Sequence, residues 1–251
     1  TLPLAPLELP GRWSWRFAVS SGSGFESGKL RGMPIFAVLF ILLFPLSEAL
    51  ASKTGAALNP SIGLPKEKGF RAQKILLAED ENAALVFDIP MSYNKHVQKW
   101  VAYFQGPGRK WFQTWLERAQ HILPRMQNTF QREGLPRDLV YMAMIESGFS
   151  THAVSVAFAV GPWQFIRPTA ERFGLKINWW IDERKDLDKS TVAAAKYIRK
   201  LHDLFGSWYL VAAAYNTGEN RVKNLVKKHQ TPNFWELAKR GAFVDETENY
   251  I

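Results

Sequence analysis

Apolar residues recur at three- and four-residue intervals through most of the chain after residue 93, whereas almost no stretch alternates with the two-residue period of a half-buried strand. Residues 85–90 are a short extended piece at most. Helices are predicted over residues 93–104, 111–133 (one helix or two, because Pro124 interrupts the pattern), 134–149, 168–173, 190–205, 208–216, 221–229 and 234–240. We therefore expect a mainly α-helical fold.

The chain before residue 85 has a different composition. Residues 1–28 are rich in Pro, Gly and Ser and are predicted to be disordered. Residues 29–51 combine a basic flank, the apolar run 33–46 and an Ala-x-Ala ending, which is typical of a cleaved secretory signal, and a buried core helix is the alternative. Residues 52–84 are predicted to be a linker, which leaves 85–251 as one folded domain. The start site, and whether the signal is cleaved or kept as an anchor, stay open.

The predicted helix 134–149 ends with an acidic residue on its apolar face. Pro136 and Asp138 suit a first helical turn, and Gly148 can adopt the left-handed conformation that ends a helix. One face carries Leu135, Leu139, Met142 and Ala143, followed by Glu146. Burial and the negative end of the helix dipole both raise the pKa of a carboxyl group, as a general acid requires. From this helix alone, a Glu146 that turns out to solvent is an equal alternative.

The net charge of the chain and the absence of several common motifs exclude some classes of function. The formal net charge of +9 favours a polyanionic partner, namely nucleic acid, an anionic membrane surface or an acidic cell-wall polymer. The basic residues are scattered rather than gathered with aromatic residues, so we expect no nucleic-acid partner. The absence of Cys excludes a thiol nucleophile, and the five His show no ligand spacing. With no Walker loop or dinucleotide fingerprint either, we expect neither a metal nor a cofactor.

Four short motifs remain, and each has a structural alternative: Gln164 can be an ordinary loop amide, Trp163 a core ring, and Tyr215-Asn216 a core ring followed by a helix cap. The motifs are Glu146-Ser147, Gly161-Pro162-Trp163-Gln164-Phe165, Ala214-Tyr215-Asn216 and Glu246-Thr247-x-x-Tyr250-Ile251. In this order and spacing they resemble the family 1 lytic transglycosylases, and within that family the membrane-bound type D branch. The resemblance covers residue 85 to the end and is densest at 133–222.

The resemblance implies a lysozyme-like (goose-type lysozyme or SLT) helical domain that cleaves peptidoglycan glycan strands. In such enzymes one glutamic acid, here Glu146, protonates the β-1,4 glycosidic oxygen between N-acetylmuramic acid and N-acetylglucosamine. It then accepts the proton of the muramic acid 6-hydroxyl, which gives a 1,6-anhydro product. The resemblance implies that Ser147 orients Glu146 or the substrate, and that the other residues bind or line the substrate: Gln164, Ile166, Ala214, Tyr215, Asn216 and Tyr250.

Some positions depart from the family pattern. Ser150-Thr151 stands where Asp-Pro is usual, Phe158 where a small polar residue is common, and Arg167 where the proline is expected, one place before Pro168. Asp182, Asp186 and Asp188 are interpreted as loop and helix-cap residues rather than as a second catalytic carboxylate. We expect a monomeric, exported enzyme of the periplasm or cell envelope, with membrane association left open. The alternatives are a muramidase that adds water and a catalytically weak cell-wall binding or scaffolding protein.

Overall fold

The computed structural model describes residues 73–77 and 80–251, with side chains described from Phe87 onward. The predicted tail and signal therefore lie outside the described residues. Two strands form an antiparallel hairpin, β1 (Gln73–Leu77) and β2 (Asp80–Phe87). Within the linker predicted at 52–84, residues 73–77 and 80–84 are thus paired strands, which the sequence did not indicate because period-two alternation is a weak signal in so short a hairpin. Residues 52–72 of that linker lie outside the described residues.

The other secondary-structure elements of the described chain are helices, which confirms the predicted fold class. The α-helices are α1 (Lys95–Gln105), α2 (Arg109–Arg132), α3 (Met142–Ser147), α4 (Arg167–Arg172), α5 (Leu187–Phe205), α6 (Trp208–Thr217), α7 (Glu219–His229), α8 (Phe234–Lys239) and α9 (Asp245–Tyr250). Short 3-10 helices cover Arg137–Tyr141 and Glu183–Lys185. No helix in the described part of the chain is both long and apolar enough to cross a membrane.

The predicted helix 134–149 is instead two segments, the 3-10 helix Arg137–Tyr141 and then α3. A contact from a distant part of the chain explains the difference. The carboxylate of Asp88 accepts hydrogen bonds from the backbone N–H groups of Arg137 (2.5 Å) and Asp138 (3.0 Å). Asp138 Oδ2 in turn accepts from the N–H of Asp88 at 2.9 Å. The helical chain therefore begins after Pro136, whose own backbone is extended.

Helix α5 begins three residues before the predicted start at Ser190. The carboxylate of Asp186 accepts from the backbone N–H of Lys189 at 2.9 Å and caps the helix. Ser190 lies inside the first turns and donates its hydroxyl to the Asp186 carbonyl at 2.5 Å. Helix α2 runs unbroken through Pro124, so the segment predicted as one helix or two is one.

The core surrounds α3 and α6, which carry two of the four motifs. Met142, Ala143 and Met144 of α3 have no exposed surface, and Trp208 and residues 210–214 of α6 are buried as well. Helix α6 packs against α5, α7 and α9. The second and fourth motifs lie in the loop before α4 and in α9, so packing around α6 brings the motif-bearing segments together.

Candidate active site

Glu146 lies in the last turn of α3 and is half-buried. The helix ends as predicted at Gly148, which has a left-handed backbone (φ 59°). A side chain at this position would meet the indole ring of Trp115, because a Cβ atom there would lie 2.3 Å from Trp115 Nε1. Arg118 Nη1 donates to the Gly148 carbonyl at 3.2 Å. The end of the helix is thus fixed on both sides, which fixes the direction in which Glu146 leaves it.

Tyr250 is the direct partner of Glu146. Its buried hydroxyl donates a hydrogen bond of 2.6 Å to Glu146 Oε1, across 104 positions of sequence. Burial raises the pKa of Glu146 to about 8, the Tyr250 hydrogen bond opposes that rise, and the charge of Glu246 adds to it. At pH 7 most Glu146 side chains therefore carry a proton. The carboxyl is protonated at the pH where a general acid has to act.

Ser147 follows Glu146 in sequence, and its hydroxyl forms its hydrogen bonds with backbone groups. The buried Ser147 hydroxyl lies 2.9 Å from the Pro162 carbonyl and 3.2 Å from that of Ala143, either of which can accept its proton. The backbone N–H of Ser150 donates to Ser147 Oγ at 3.0 Å. Ser147 therefore joins α3 to the loop of the second motif.

The loop of the second motif is held against the segment after α4. Gly161 has φ 83°, and a Cβ atom there would lie 1.9 Å from the carbonyl oxygen of Arg184, so only glycine fits. The buried guanidinium of Arg184 donates to the carbonyls of Phe158 (3.0 Å) and Phe165 (3.1 Å) and pairs with Asp182 at 2.7 Å. No local pattern in the sequence indicated this role for Arg184, because the two carbonyls that it binds lie 26 and 19 positions away.

Gln164 has one end of its amide occupied and one end unpaired. Its Nε2 donates to the carbonyls of Gly161 (2.7 Å) and Ala153 (3.3 Å). Its buried Oε1 accepts no hydrogen bond from the described part of the chain. The residue also has φ 48°, which is uncommon outside glycine. A buried acceptor without a donor is costly, so this oxygen suits a ligand N–H group.

Tyr215 and Asn216 connect the third motif to the second and the fourth. The Tyr215 hydroxyl donates to the Trp163 carbonyl at 2.8 Å. Burial, together with the charge of Glu146, raises the pKa of Tyr215 well above its ordinary value, so the phenol stays protonated. Asn216 Oδ1 accepts from the Thr247 hydroxyl at 3.0 Å. Both residues are half-buried, whereas the preceding Ala214 is fully buried.

Together these contacts form a closed ring of hydrogen bonds through all four motifs. The bond between Glu146 and Tyr250 joins the first motif to the fourth, and the bond between Ser147 and Pro162 joins the first to the second. The bond between Trp163 and Tyr215 joins the second motif to the third, and the bond between Asn216 and Thr247 joins the third to the fourth. Motifs that lie up to 104 residues apart therefore share one site. Ile166 is half-buried at the start of α4, next to this ring in sequence.

Trp163 belongs to the core, which is the structural alternative given for this residue above. Its ring has no exposed surface and stacks on Phe130, with centroids 5.4 Å apart. Its Nε1 donates to Thr191 Oγ1 at 3.0 Å. A ring enclosed in this way presents no face to a ligand.

The three aspartates after α4 have structural partners. Asp182 caps the 3-10 helix and pairs with Arg184, Asp186 caps α5, and Asp188 pairs with Arg125 at 2.5 Å. The acidic residue whose charge acts on Glu146 is Glu246 of the fourth motif, whose effect the sequence analysis missed. Among the described residues, no group of three or more His, Cys, Asp or Glu is arranged to hold a metal ion.

Comparison with known proteins agrees with the ring of motifs. Residues 126–238 match the family described as "Transglycosylase SLT domain". Over 139 residues the chain is 34% identical to "Membrane-bound lytic murein transglycosylase D" of Escherichia coli (strain K12), covering 53% of this chain and 30% of that protein. Over 112 residues it is 38% identical to a protein of Alteromonas sp. (strain M-1) named for tributyltin chloride resistance, covering 43% of this chain and 54% of that protein.

A third relative is "Membrane-bound lytic murein transglycosylase C" of Haemophilus ducreyi, which is 28% identical over 131 residues, covering 47% of this chain and 36% of that protein. The chain thus spans roughly a third to a half of the length of these relatives. The resemblance predicted from the motifs and the lysozyme-like helical fold are both confirmed.

Proposed function

Since residues 126–238 match the transglycosylase SLT domain family, we propose that this chain is a peptidoglycan lytic transglycosylase, a lyase with Glu146 as its catalytic residue. The observation that carries the proposal is the half-buried Glu146 within the ring of motifs, held by a 2.6 Å hydrogen bond from Tyr250 in surroundings that raise its pKa to about 8. The names of two relatives, which describe lytic murein transglycosylases, agree with it.

The reaction needs one carboxyl group in two states. Glu146 gives its proton to the glycosidic oxygen as the bond to C1 of N-acetylmuramic acid breaks, which releases N-acetylglucosamine with a free 4-hydroxyl. The Glu146 carboxylate then takes the proton of the muramic acid 6-hydroxyl, whose oxygen bonds to C1 and closes the 1,6-anhydro ring. The carboxyl group is protonated again at the end, and no water is consumed.

The remaining predicted residues divide into holding and binding roles. Ser147 and Tyr215 position the loop of the second motif through backbone carbonyls, and Tyr250 positions Glu146. The unpaired Gln164 Oε1 suits the N–H of an acetamido group. Asn216 is fixed through its Oδ1 by Thr247, which leaves its amide N–H groups to donate to sugar oxygens. We assign Ile166 and the backbone of Ala214 to the lining of the substrate site.

Digestion of purified sacculi followed by mass spectrometry of the released fragments tests the proposal. We expect 1,6-anhydro ends from the unaltered protein and a loss of at least about a hundredfold in rate for Glu146→Gln, the scale of removing a general acid. Glu117→Gln is the matched control, because Glu117 is exposed on α2. Full activity in Glu146→Gln would assign the acid to another residue.

A hydrolytic muramidase of the same fold is the second candidate, because the nearby Glu246 supplies a second carboxylate. Reducing ends without anhydro ends, lost in Glu246→Gln, would favour it. Binding to sacculi without any release would instead indicate a cell-wall binding protein.

The signal predicted at 29–51 supports a place in the periplasm or cell envelope. An export assay on the whole chain fused to a reporter tests this location. Size-exclusion chromatography tests the predicted monomer.

A further inference from the structure

Two neighbouring loops concentrate the exposed apolar side chains of the molecule. We define loop A as residues 151–160 and loop B as residues 176–182. Six of the ten large hydrophobic residues that are exposed in the described chain belong to them: Val154, Val156, Phe158, Trp179, Trp180 and Ile181. The most exposed are Trp179 (90%), Trp180 (87%) and Phe158 (77%). So many apolar side chains on two joined loops are typical of an interaction surface rather than of scattered surface residues.

The two loops are fixed to each other at their bases. The Arg184 guanidinium donates to the Phe158 carbonyl in loop A and pairs with Asp182 at the end of loop B. Loop B is closed by a bridge between Ile177 and Asp182. The close approach of the Gly161 backbone to the Arg184 carbonyl brings the end of loop A to the same place. The buried side chain of Arg184 therefore holds both loops together at their bases.

Local backbone contacts hold the apolar side chains outward. Asn178 Oδ1 accepts from the N–H groups of Trp180 and Ile181, both at 2.9 Å, which makes loop B a tight turn with both indoles outside it. In loop A, Phe158 has φ 59°, a conformation that favours Gly or Asn. An outward phenylalanine at such a position lowers stability without adding to the core, which points to a use outside the folded chain.

The chemistry of the two loops favours lipid over sugar. Aromatic side chains stack on sugar rings, but the aliphatic side chains of Val154, Val156 and Ile181 gain little there and do gain from contact with acyl chains. The side-chain carbonyl of Asn178 is already occupied within the turn. Tryptophan favours the boundary between headgroups and acyl chains.

The charge around the loops is suited to an anionic surface. Loop A contains no acidic residue, and the acids at the end of loop B are paired, Asp182 with Arg184 and Glu183 with Lys189 at 2.6 Å. Lys176 is exposed at the start of loop B. The formal net charge of the chain is +9. Cations beside exposed aromatic and aliphatic side chains are the usual pattern of a surface that binds anionic membranes.

We propose that loops A and B together dock on the surface of an anionic lipid bilayer, with Trp179, Trp180 and Phe158 entering the boundary between headgroups and acyl chains. This docking is independent of the reaction proposed for Glu146. It would hold the second motif close to the membrane, because Gln164 Nε2 donates to the carbonyl of Ala153 in loop A.

The whole chain contains no Cys, so one introduced cysteine can carry a polarity-sensitive fluorophore. Ala157→Cys places it in loop A without removing any of the large apolar side chains, and Ala102→Cys on α1 is the matched control, since both alanines are exposed. The labelled proteins are mixed with phosphatidylglycerol-containing vesicles, with and without brominated acyl chains. The fluorescence reports the surroundings of loop A itself, even if residues 33–46 also bind the vesicles.

We expect a blue shift and bromine quenching at position 157 when vesicles are added. The triple change Phe158→Ser, Trp179→Ser and Trp180→Ser should lower the vesicle affinity measured from these signals about tenfold, which is about 1.4 kcal/mol. The triple change Tyr93→Ser, Trp111→Ser and Leu204→Ser removes exposed apolar residues elsewhere and should leave the signal intact. No response at position 157, or a response that the loop changes do not reduce, would overturn the proposal. A response to soluble glycan strands and not to vesicles would assign the loops to substrate instead.

Discussion

Removing the Tyr250 hydroxyl should raise the pKa of Glu146 further. In Tyr250→Phe the ring still fills its buried position, but the 2.6 Å hydrogen bond to Glu146 Oε1 is lost. That bond stabilises the carboxylate more than the protonated acid, and it opposes the rise caused by burial. A hydrogen bond to a charged group contributes about 1.5–3 kcal/mol. At about 1.36 kcal/mol per pKa unit, the pKa of Glu146 should rise by about 1–2 units from its value of about 8.

The pH dependence of kcat/KM measures this change. The acid must be protonated before the glycosidic bond breaks, so activity falls on the alkaline side as Glu146 loses its proton. In Tyr250→Phe this alkaline limb should move to higher pH by about 1–2 units, while the rate at pH 7 falls because the carboxyl group is no longer held in place. The assay is the initial rate of anhydro-product release from soluble glycan strands between pH 5 and pH 10.5.

A matched control separates the local effect from any loss of tyrosine. Tyr209→Phe removes a part-buried hydroxyl that binds the Pro90 carbonyl and Ser92 Oγ, at a different place in the fold. It should leave the alkaline limb unchanged. If Tyr250→Phe left the limb in place or moved it to lower pH, Tyr250 would not be stabilising the charged form of Glu146, and the reasoning would be refuted.

Three further predictions concern stability. Gly161→Ala should lower the free energy of unfolding by about 3 kcal/mol or more, since its Cβ would overlap the Arg184 carbonyl, whereas Gly174→Ala, with φ 90° and open space, should cost only about 1 kcal/mol. Burial and the adjacent Asp88 raise the pKa of Asp138 to about 8, so the folded protein binds this proton more tightly than the unfolded chain does. The free energy of unfolding should therefore fall as the pH rises from about 4 to 8, and Asp138→Asn should reduce that fall. Glu146→Gln should likewise be more stable than the unaltered protein by about 1–2 kcal/mol near pH 8, a discounted value because Glu146 is only half-buried.

Thermal unfolding followed by circular dichroism at pH 4, 6 and 8 measures all three effects. Equal losses in the two glycine variants would show that the contact with Arg184 does not restrict position 161. For the two carboxyl groups, a stability difference from the unaltered protein that did not change with pH would mean that neither proton is held as described.

The helical segments could be predicted because their signals are local, but their starts could not all be placed. Asp186 and Ser190 are both good capping residues, and the local sequence does not show which of them begins α5. The segment 134–149 shows the limit more clearly. The backbone N–H groups at its helical start are bound by Asp88, about 50 residues earlier, and no local sequence pattern predicts a partner at that distance.

The site was predicted through the resemblance of its motifs, and its internal contacts were not. The resemblance implied that Ser147 orients Glu146 or the substrate, and it did not indicate that the Ser147 hydroxyl would donate to the Pro162 carbonyl. It implied that Tyr215 binds the substrate, which stays a prediction, and it did not indicate that the Tyr215 hydroxyl would donate to the Trp163 carbonyl. A motif tells which residues come together, whereas hydrogen-bond direction depends on the backbone groups of the partner loop, which a pattern of residue types does not encode.

The proton on Glu146 depends on two parts of the chain that act in opposite directions. The apolar residues around α3 and α6 raise its pKa, and α9 opposes the rise through Tyr250 while adding to it through the charge of Glu246. A pKa near 8 leaves the group mostly protonated at pH 7 while keeping its carboxylate accessible, which is the balance that a residue acting first as acid and then as base requires. Movement of α9 away from α3 would remove both of its contributions at once. The position of this helix therefore controls the chemistry of a residue 104 positions before it in sequence.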